Sequence, residues 1–216
     1  DTLQLDTVFF TVKQDTTRMN LRAGVINGPK NPQFSFSTIL TGEIRDRDAE
    51  LLAEYKNEKG KTGVLLGVNA RPLVGGRGKG DGLAFTLIPE EPIIAFRKFH
   101  FNEDHNWIYL HKNMRVYANV DMWDDEGMGF RVHSVQGDTV SLQNIDVEIR
   151  RIRLDEITSV LPYFPEITGL FSAEAHYIQT EKDLQLSAEA SIDELTYERQ
   201  RIGDITLGAT WLPGEQ

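Results

Sequence analysis

The residues with the clearest chemical potential are the glycines and the lysine of RPLVGGRGKGDG, residues 71–82. Glycines expose backbone N–H groups and a nearby lysine adds positive charge, so such a loop can bind a phosphate. The spacing does not match a P-loop, because Leu73 stands where the first glycine belongs and Gly80 follows Lys79 where Ser or Thr is required. The dinucleotide-binding glycine spacing is also absent. We therefore predict a connection between two strands.

Histidines and carboxylates could hold a metal ion at two places in the chain. The candidate ligands are His100, Asp104, His105 and His111, and then Asp121, Asp124, Asp125 and Glu126. The first set lacks the tight ligand spacing of a zinc site, and the second lacks the alternating spacing of a calcium loop. We predict a polar Asn-Glu-Asp turn between two strands for the first set and a solvated hairpin tip, 124–127, for the second. No metal or other cofactor is expected.

Four aromatic residues could stack against sugar rings: Trp107, Tyr109, Trp123 and Trp211. Trp107 and Tyr109 have the same parity, so both would project from one face of a regular strand. Aromatic residues are also favoured in strands for packing alone. A secreted glycan-binding β-sandwich module is therefore an alternative function. No nucleophile elbow is present, and we expect no enzymatic activity.

Alternation of apolar and polar residues is the dominant pattern of the chain. It is clearest in DLQLSAEASID, residues 183–193, where leucine, alanine and isoleucine alternate with glutamine, serine and acidic residues. Such a pattern predicts strands with one apolar and one polar face. Residues 46–60 are also interpreted as strand. Between 140 and 154 the apolar parity shifts twice, and each shift requires a bulge, a turn or the end of a strand.

One short helix is predicted near residues 155–162. Leu154, Ile157 and Leu161 fall on one helical face, and Asp155 is placed to cap its start. Pro162 limits the helix to about two turns, because proline disfavours helix in the residue before it.

Composition narrows the class of protein further. The chain has 216 residues, 33 acidic and 23 basic side chains, a formal net charge of −10 and no cysteine. Nucleic acid is therefore not an expected partner, since phosphate contacts need a basic surface. No stretch reaches the roughly 18 apolar residues of a membrane-spanning helix. We interpret residues 1–216 as one continuous β domain, a fragment of a longer chain.

Three motifs stand out in the C-terminal half: RVYANVDMWDDEGMGFRVHS, LPYFPEITGLFSAEAHY after the helix, and ELTYERQRIGDITLGATW. In these motifs, residues 115–212 resemble the TamB family of AsmA-like cell-envelope proteins. The resemblance implies a long, curved, taco-like antiparallel sheet whose apolar interior carries phospholipid acyl chains toward the outer membrane. It also implies a periplasmic location, an inner-membrane anchor outside this fragment, and an outer-membrane barrel partner of the TamA or BamA kind. A role in outer-membrane protein translocation and assembly is implied as well.

The residues expected to line this groove are the apolar members of the alternating strands. They are Met114, Val116, Ala118, Val120, Phe171, Ala173, Ala175, Leu184, Leu186, Ala188, Ile192, Ile205, Leu207 and Ala209. Periodicity alone does not distinguish an open groove from the closed core of a β-sandwich. The alanines favour a groove, because they leave room between its walls. Unpaired edge strands would allow the fragment to self-associate.

Overall fold

The computed structural model describes residues 4–73, 81–135, 138, 140–161 and 163–212. In this part of the chain fourteen strands and one short helix follow one another. They are β1 Thr7–Gln14, β2 Arg18–Asn27, β3 Phe36–Arg45, β4 Asp48–Lys56, β5 Thr62–Leu73, β6 Gly82–Ile94, β7 Arg97–Lys98, β8 His100–His111, β9 Val116–Trp123, β10 Gly129–Ser134, β11 Gln143–Arg153, α1 Leu154–Thr158, β12 Ile167–Gln179, β13 Leu184–Tyr197 and β14 Gln200–Trp211.

All strands belong to one antiparallel sheet whose order follows the sequence. Each strand pairs with the next, except that β6 pairs with both β8 and the two-residue strand β7. The sheet is open, with β1 and β14 at its edges. The prediction of one long curved sheet is confirmed, and a sandwich of two sheets is not what forms. Residues 46–60 contain β4, as predicted, while most of the glycine-rich segment 71–82 lies outside the described residues.

Antiparallel order places the turns at two opposite ends of the sheet. The turns after β2, β4, β6, β9, β11 and β13 lie at one end, which we call the helix end because it also carries α1. The turns after β1, β3, β5, β8, β10 and β12 lie at the opposite end. The predicted hairpin tip at 124–127 is confirmed at the helix end, where Gly127 donates its backbone N–H to Asp124 O and adopts a φ of +81°.

β-Bulges keep the apolar side chains on the same face of the sheet along each strand. The register between β11 and β12 shifts between Ile149 and Ile152, where Arg151 has a φ of 55°, so the predicted parity shift is a bulge. The prediction of a turn at Asn-Glu-Asp is wrong, because strand β8 continues through these residues. Asp104, at a φ of 58°, lies between Phe101 and Asn106, where the β8–β9 register shifts. Aspartate tolerates this left-handed conformation, so the extra residues form a bulge instead of ending the strand.

The ladder between β6 and β8 is short and is completed by a side chain. Register pairs join only Gly82–Phe85 to Ile108–His111. Two residues further along each strand, the Asn106 side chain accepts a hydrogen bond from Leu87 N and donates one to Leu87 O, each at 2.9 Å. The amide therefore takes the place of a backbone pair and keeps Asn106 level with Leu87.

The helix α1 is shorter than predicted. It begins at Leu154, with Arg153 at the N-cap position and no side-chain capping bond, so Asp155 lies in the first turn and is not the cap. Its negative charge is still favourable near a helix N-terminus. The helix ends at Thr158, and Leu161 continues the chain with a turn bond to Thr158 O. The helix therefore has only five residues, which is marginal for a helix, and it ends before Pro162. Pro162 itself lies outside the described residues.

The apolar core lies at the helix end. Phe99, Met122 and Met128 are buried together, and Ile94, Phe101, Phe130 and Ile152 pack against them. Tyr55 extends this core, with its ring centroid 6.2 Å from that of Phe36 and 6.3 Å from that of Phe96.

Contacts between distant strands show that the sheet curves. Tyr163, which follows α1, lies 4.8 Å from Phe34 between ring centroids and accepts a hydrogen bond from Asn27 at 3.4 Å. Asn27 ends β2, and nine strand spacings separate β2 from β12 in the sheet order. A flat sheet would hold these strands roughly 43 Å apart. The helix end is therefore curled round the face to which Asn27 belongs.

The surface area confirms that the sheet is open. The solvent-accessible surface is 14474 Å². A globular monomer of 24.5 kDa exposes roughly 10,000 Å² by the usual scaling with mass. The excess means that much of the sheet has no second layer over it.

Replacement of Met122 by alanine should destabilise the fold strongly. The Met122 side chain is fully buried, so Met122→Ala leaves a cavity and should lower the free energy of unfolding by about 2 to 5 kcal/mol. Met114 provides the matched control, because it is 69% exposed and Met114→Ala should change stability by less than about 0.5 kcal/mol. Urea denaturation of both variants measures the difference, and equal midpoints would contradict this account of the core.

Candidate functional site

One face of the sheet carries an apolar row that crosses every strand of the main path. Residues directly opposite one another in adjacent strands share a face, so the register pairs trace the row. Its members, from β1 to β14, are Val12, Leu21, Gly42, Leu51, Val68, Leu87, Asn106, Val120, Val132, Val147, Ala175, Ala188 and Ala209. We call the face that bears this row the apolar face. Thirteen strands at about 4.8 Å spacing give the row a length of roughly 58 Å along the sheet.

The row displaced by one residue faces the other way and is almost entirely polar. We call the face that bears it the polar face. Its members are Lys13, Asn20, Glu43, Glu50, Asn69, Thr86, Trp107, Asn119, His133, Asp146, His176, Ser187 and Thr210. The contrast between the two rows therefore persists across the whole sheet.

Thirteen of the fourteen predicted lining residues lie on the apolar face. They are Val116, Ala118, Val120, Phe171, Ala173, Ala175, Leu184, Leu186, Ala188, Ile192, Ile205, Leu207 and Ala209. Met114 is the exception, because β9 begins only at Val116. Met114 lies in the turn before β9, has a φ of 64° and donates its N–H to His111 O. Met114 fits the even-numbered apolar pattern of β9 only by coincidence, because it lies before that strand begins.

The N-terminal half contributes as much of the apolar face as the C-terminal half. Leu21, Leu51, Val68 and Leu87 occupy the same row as the predicted Val120. They were absent from the predicted lining set because the family resemblance began at residue 115. The signal that identifies them is the same alternation of apolar and polar residues.

The apolar face is buried or half-buried at the helix end and on its central strands, and exposed on its edge strands and toward the opposite end. Large apolar side chains on its edge strands remain in solvent, including Phe10 at 69%, Leu207 at 66% and Trp211 at 64% exposure. Exposed members at or toward the opposite end are Val12, Ile44, Leu51, Leu83 and Leu184. A soluble monomer seldom leaves a contiguous apolar strip uncovered unless something binds there.

One part of the apolar face carries mainly short alanine side chains. Ala173 pairs with Ala190, and Ala175 pairs with Ala188, which in turn pairs with Ala209. These short side chains lie on three neighbouring strands, β12, β13 and β14. Side chains therefore project less far from the apolar face here than where valine and leucine occupy the row.

The histidines and carboxylates considered as metal ligands are spread apart. His100 lies 4.0 Å from Asp125, and His105 lies 3.6 Å from Asp121. The His111 ring packs edge-on against Tyr117. Among the described residues, no three histidine, aspartate or glutamate side chains are grouped closely enough to hold a metal ion.

Asp124 is a buried turn residue, which corrects the expectation of a wholly solvated tip. Its Oδ1 accepts hydrogen bonds from the backbone N–H of Glu126 at 2.9 Å and of Met128 at 2.8 Å. Its Oδ2 accepts one from Arg97 Nη1 at 3.1 Å. Asp125 and Glu126 remain exposed.

Arg97 ties three elements of the helix end together. Beside Asp124, its guanidinium contacts Glu126 at 3.0 Å and donates to Glu156 of α1 at 2.8 Å. Hydrogen bonds to Glu156 and then to Glu126 raise the pKa of Arg97 above its usual value, so the charge is permanent. The arginine thereby fixes α1 against the β9–β10 turn.

The predicted aromatic platform lies on the polar face. Trp107 and Tyr109 stack with ring centroids 4.6 Å apart and planes 20° apart, as their shared parity predicted. Trp123 shares this face but lies under the guanidinium groups of Arg150 and Arg131, at 5.0 and 5.9 Å. Trp211 is on the apolar face, opposite Leu186.

Comparison of the chain with protein-family models, with curated proteins and with solved structures finds no match. In the described ranges, no helix has the length and apolar character needed to cross a membrane.

Removal of the Arg97 side chain should loosen the helix end. Arg97→Met keeps the aliphatic stem but leaves the buried Asp124 carboxylate without its cation, so we expect a loss of roughly 2 to 3 kcal/mol in unfolding free energy. Lys98→Met is the matched control, because Lys98 and its partner Glu91 are both exposed and should contribute less than about 1 kcal/mol. Hydrogen exchange should report faster exchange at α1 in the Arg97 variant alone. Equal effects of the two substitutions would contradict a fixing role for Arg97.

Proposed function

We propose that this chain is a segment of a lipid-transfer bridge in a bacterial cell envelope, with phospholipid acyl chains carried on its apolar face. The observation that carries the proposal is the row from Val12 to Ala209, which is apolar at every strand except at Gly42 and Asn106 and lies on a face that stays partly exposed. Acyl chains on this face would remove its apolar side chains from water, which is the main driving force for such binding.

The length of the row favours a lipid path over a compact ligand pocket. At roughly 58 Å it exceeds the thickness of a bilayer's hydrocarbon core, about 30 Å, so several lipids could lie along it. No bond is made or broken in such transfer, and no catalytic group is required. Acyl chains would lie against the apolar face, and the charged head groups would stay in water at the strand ends, along the opposite end of the sheet.

The two ends of the sheet differ in how much apolar surface they leave open to lipid. At the helix end, the cluster of Phe99, Met122 and Met128 fills the face, and Arg97 fixes α1 beside it. At the opposite end Leu83 and Leu184 remain exposed. Lipid would therefore occupy the opposite end and the middle of the sheet more readily than the helix end.

The location and partners proposed here rest on the resemblance to the TamB family. They are the periplasm, with an inner-membrane anchor outside this segment, and an outer-membrane barrel of the TamA or BamA kind. A contribution to outer-membrane protein assembly belongs to the same proposal. The open edges at β1 and β14 support it in one respect, since each can accept a further strand.

Site-specific photocrosslinking on β13 tests the lipid path. We would place p-benzoylphenylalanine singly at Leu186 and Ala188 on the apolar face, and at Gln185 and Ser187 on the polar face. The purified chain would be incubated with phosphatidylethanolamine and phosphatidylglycerol vesicles and irradiated. We expect phospholipid adducts, detected by mass spectrometry, at the first two positions.

The polar positions form a strict control, because Gln185 and Ser187 are more exposed than Leu186 and Ala188. Simple accessibility would therefore favour adducts at the polar positions, whereas an acyl-chain path favours the apolar ones. Equal labelling of both pairs, or no phospholipid adduct at either pair, would refute the proposal.

Self-association through the open edges is a separate expectation. Unpaired backbone groups on β1 and β14 should make the sedimentation coefficient of the purified chain rise with concentration. Sedimentation velocity from micromolar to about millimolar concentration measures this. A constant monomer coefficient across that range would show that the edges do not pair.

A further inference from the structure

A large cleft lies on the polar face, away from the proposed lipid path. It has a volume of about 1180 Å³ and is formed by β8, β9, β10 and β11 together with the turns at the opposite end. Its floor follows the polar row through Trp107, Asn119, His133 and Asp146, one residue from each of four neighbouring strands. Strand spacing gives this floor a length of roughly 14 Å.

Among the described residues, the charges that line the cleft nearly cancel. The acidic members are Asp81, Asp121, Asp138 and Asp146, and the basic members are Lys112, Arg115 and Arg131. Several form internal pairs: Lys112 lies 2.7 Å from Asp81, Arg131 lies 3.1 Å from Asp121, and His133 lies 3.3 Å from Asp146. A phosphate would need an excess of cations, and a metal ion would need grouped ligands. The balance favours an uncharged polar ligand.

Asp121 has an unused hydrogen-bond acceptor. Its side chain is only 2% exposed, and its Oδ2 accepts hydrogen bonds from Arg131 and Asn102. Its Oδ1 has no hydrogen-bond partner among the described residues, and the same holds for His133 Nδ1 and His111 Nε2. Buried polar atoms in native proteins are nearly always bonded, so three such atoms around one cleft indicate an absent bonding partner.

The carboxylate of Asp121 is suited to accept a hydrogen bond at neutral pH. Burial acts to raise its pKa, but hydrogen bonds from Asn102 and Arg131, the charge of Arg131 and a smaller contribution from the Trp123 side chain outweigh burial and hold the pKa below its usual value. The group is therefore ionised, and it accepts hydrogen bonds without donating any.

An aromatic ring stands at one end of the cleft floor. Trp107 lines the cleft, and its stacking on Tyr109 restricts its orientation. A large apolar ring beside amide, carboxylate, imidazole and guanidinium groups matches the two kinds of surface of a sugar. The C–H face of a pyranose packs on the ring, and its hydroxyl groups both donate to and accept from the planar polar groups.

We propose that this cleft binds an uncharged oligosaccharide, with a sugar ring packed on Trp107 and hydroxyl groups bonded to Asn119, Asp121 and His133. The volume and the floor length suit more than one sugar unit. The site is independent of the proposed lipid path, because its floor and the apolar row lie on opposite faces of the same strands.

Binding of defined oligosaccharides to the purified chain tests this site. A glycan array identifies a binding sugar, with maltotetraose, cellotetraose and tetra-N-acetylchitotetraose as neutral probes in solution, followed by tryptophan fluorescence and calorimetry. We expect saturable binding by at least one neutral glycan. Asn119→Ala should then weaken it by about three- to tenfold, the effect of one lost hydrogen bond. Trp107→Ala should weaken it more.

Asn20→Ala is the matched control, because Asn20 lies in the same polar row on β2, far from the cleft. It should leave the affinity within about twofold. Thermal unfolding of each variant separates loss of binding from loss of fold, and Asp121→Asn, which keeps the side-chain shape, provides a second variant. The proposal would be overturned if the purified chain bound no neutral glycan, or if the Asn119, Asp121 and Asn20 variants bound the glycan with equal affinity. Neither result bears on lipid crosslinking at Leu186 and Ala188.

Discussion

The fold depends on one constraint. Side chains in a strand alternate between two faces, and the register of each antiparallel pair must place the apolar side chains of both strands on the same face. A shift of one residue anywhere would move a whole strand's apolar side chains into water. The chain satisfies this over fourteen strands by absorbing each extra residue in a bulge, as at Asp104 and Arg151. Every feature considered above, from the apolar row to the polar cleft, exists because this agreement holds across the sheet.

Both ends of the sheet obey the same alternation, but they differ in how the apolar face is covered. At the helix end, Phe99, Met122 and Met128 pack together, and the contact between Tyr163 and Asn27 links elements nine strands apart. Arg97 then joins α1 to the β9–β10 turn through carboxylates on both. Curvature at this end therefore follows from long-range packing and one ionic cluster, since the backbone ladder alone would permit a flatter sheet.

Periodicity predicted the strands and their faces well, because alternation is a local property that the sheet preserves. It placed Ala173, Ala175 and Ala188 correctly on one face, and it predicted the irregularity between Ile149 and Ile152. It failed at Met114, where an even number continued the pattern after the strand had ended. It also failed at Asp104, because a bulge and a turn have the same polar composition and differ only in backbone conformation.

The polar cleft shows where sequence reasoning reaches its limit. The parity of Trp107 and Tyr109 predicted their shared face, but nothing local linked Trp107 to Asn119, His133 and Asp146 on three later strands. Only the register of β8 to β11 aligns them in one row. The unused acceptor of Asp121 is also a product of tertiary structure, since it depends on which donors reach each oxygen.

The short ladder between β6 and β8 has a mechanical consequence. Only four residue pairs join β6 directly to β8, the fewest between successive strands of the main path, and the Asn106 amide continues this ladder to Leu87. Nearer the helix end, Ile93 and Ile94 of β6 pair with β7 instead. Since a side chain takes the place of the ladder between these two stretches, a change of pitch between the two parts of the sheet would bend the apolar row at Leu87 while leaving the register within each part intact.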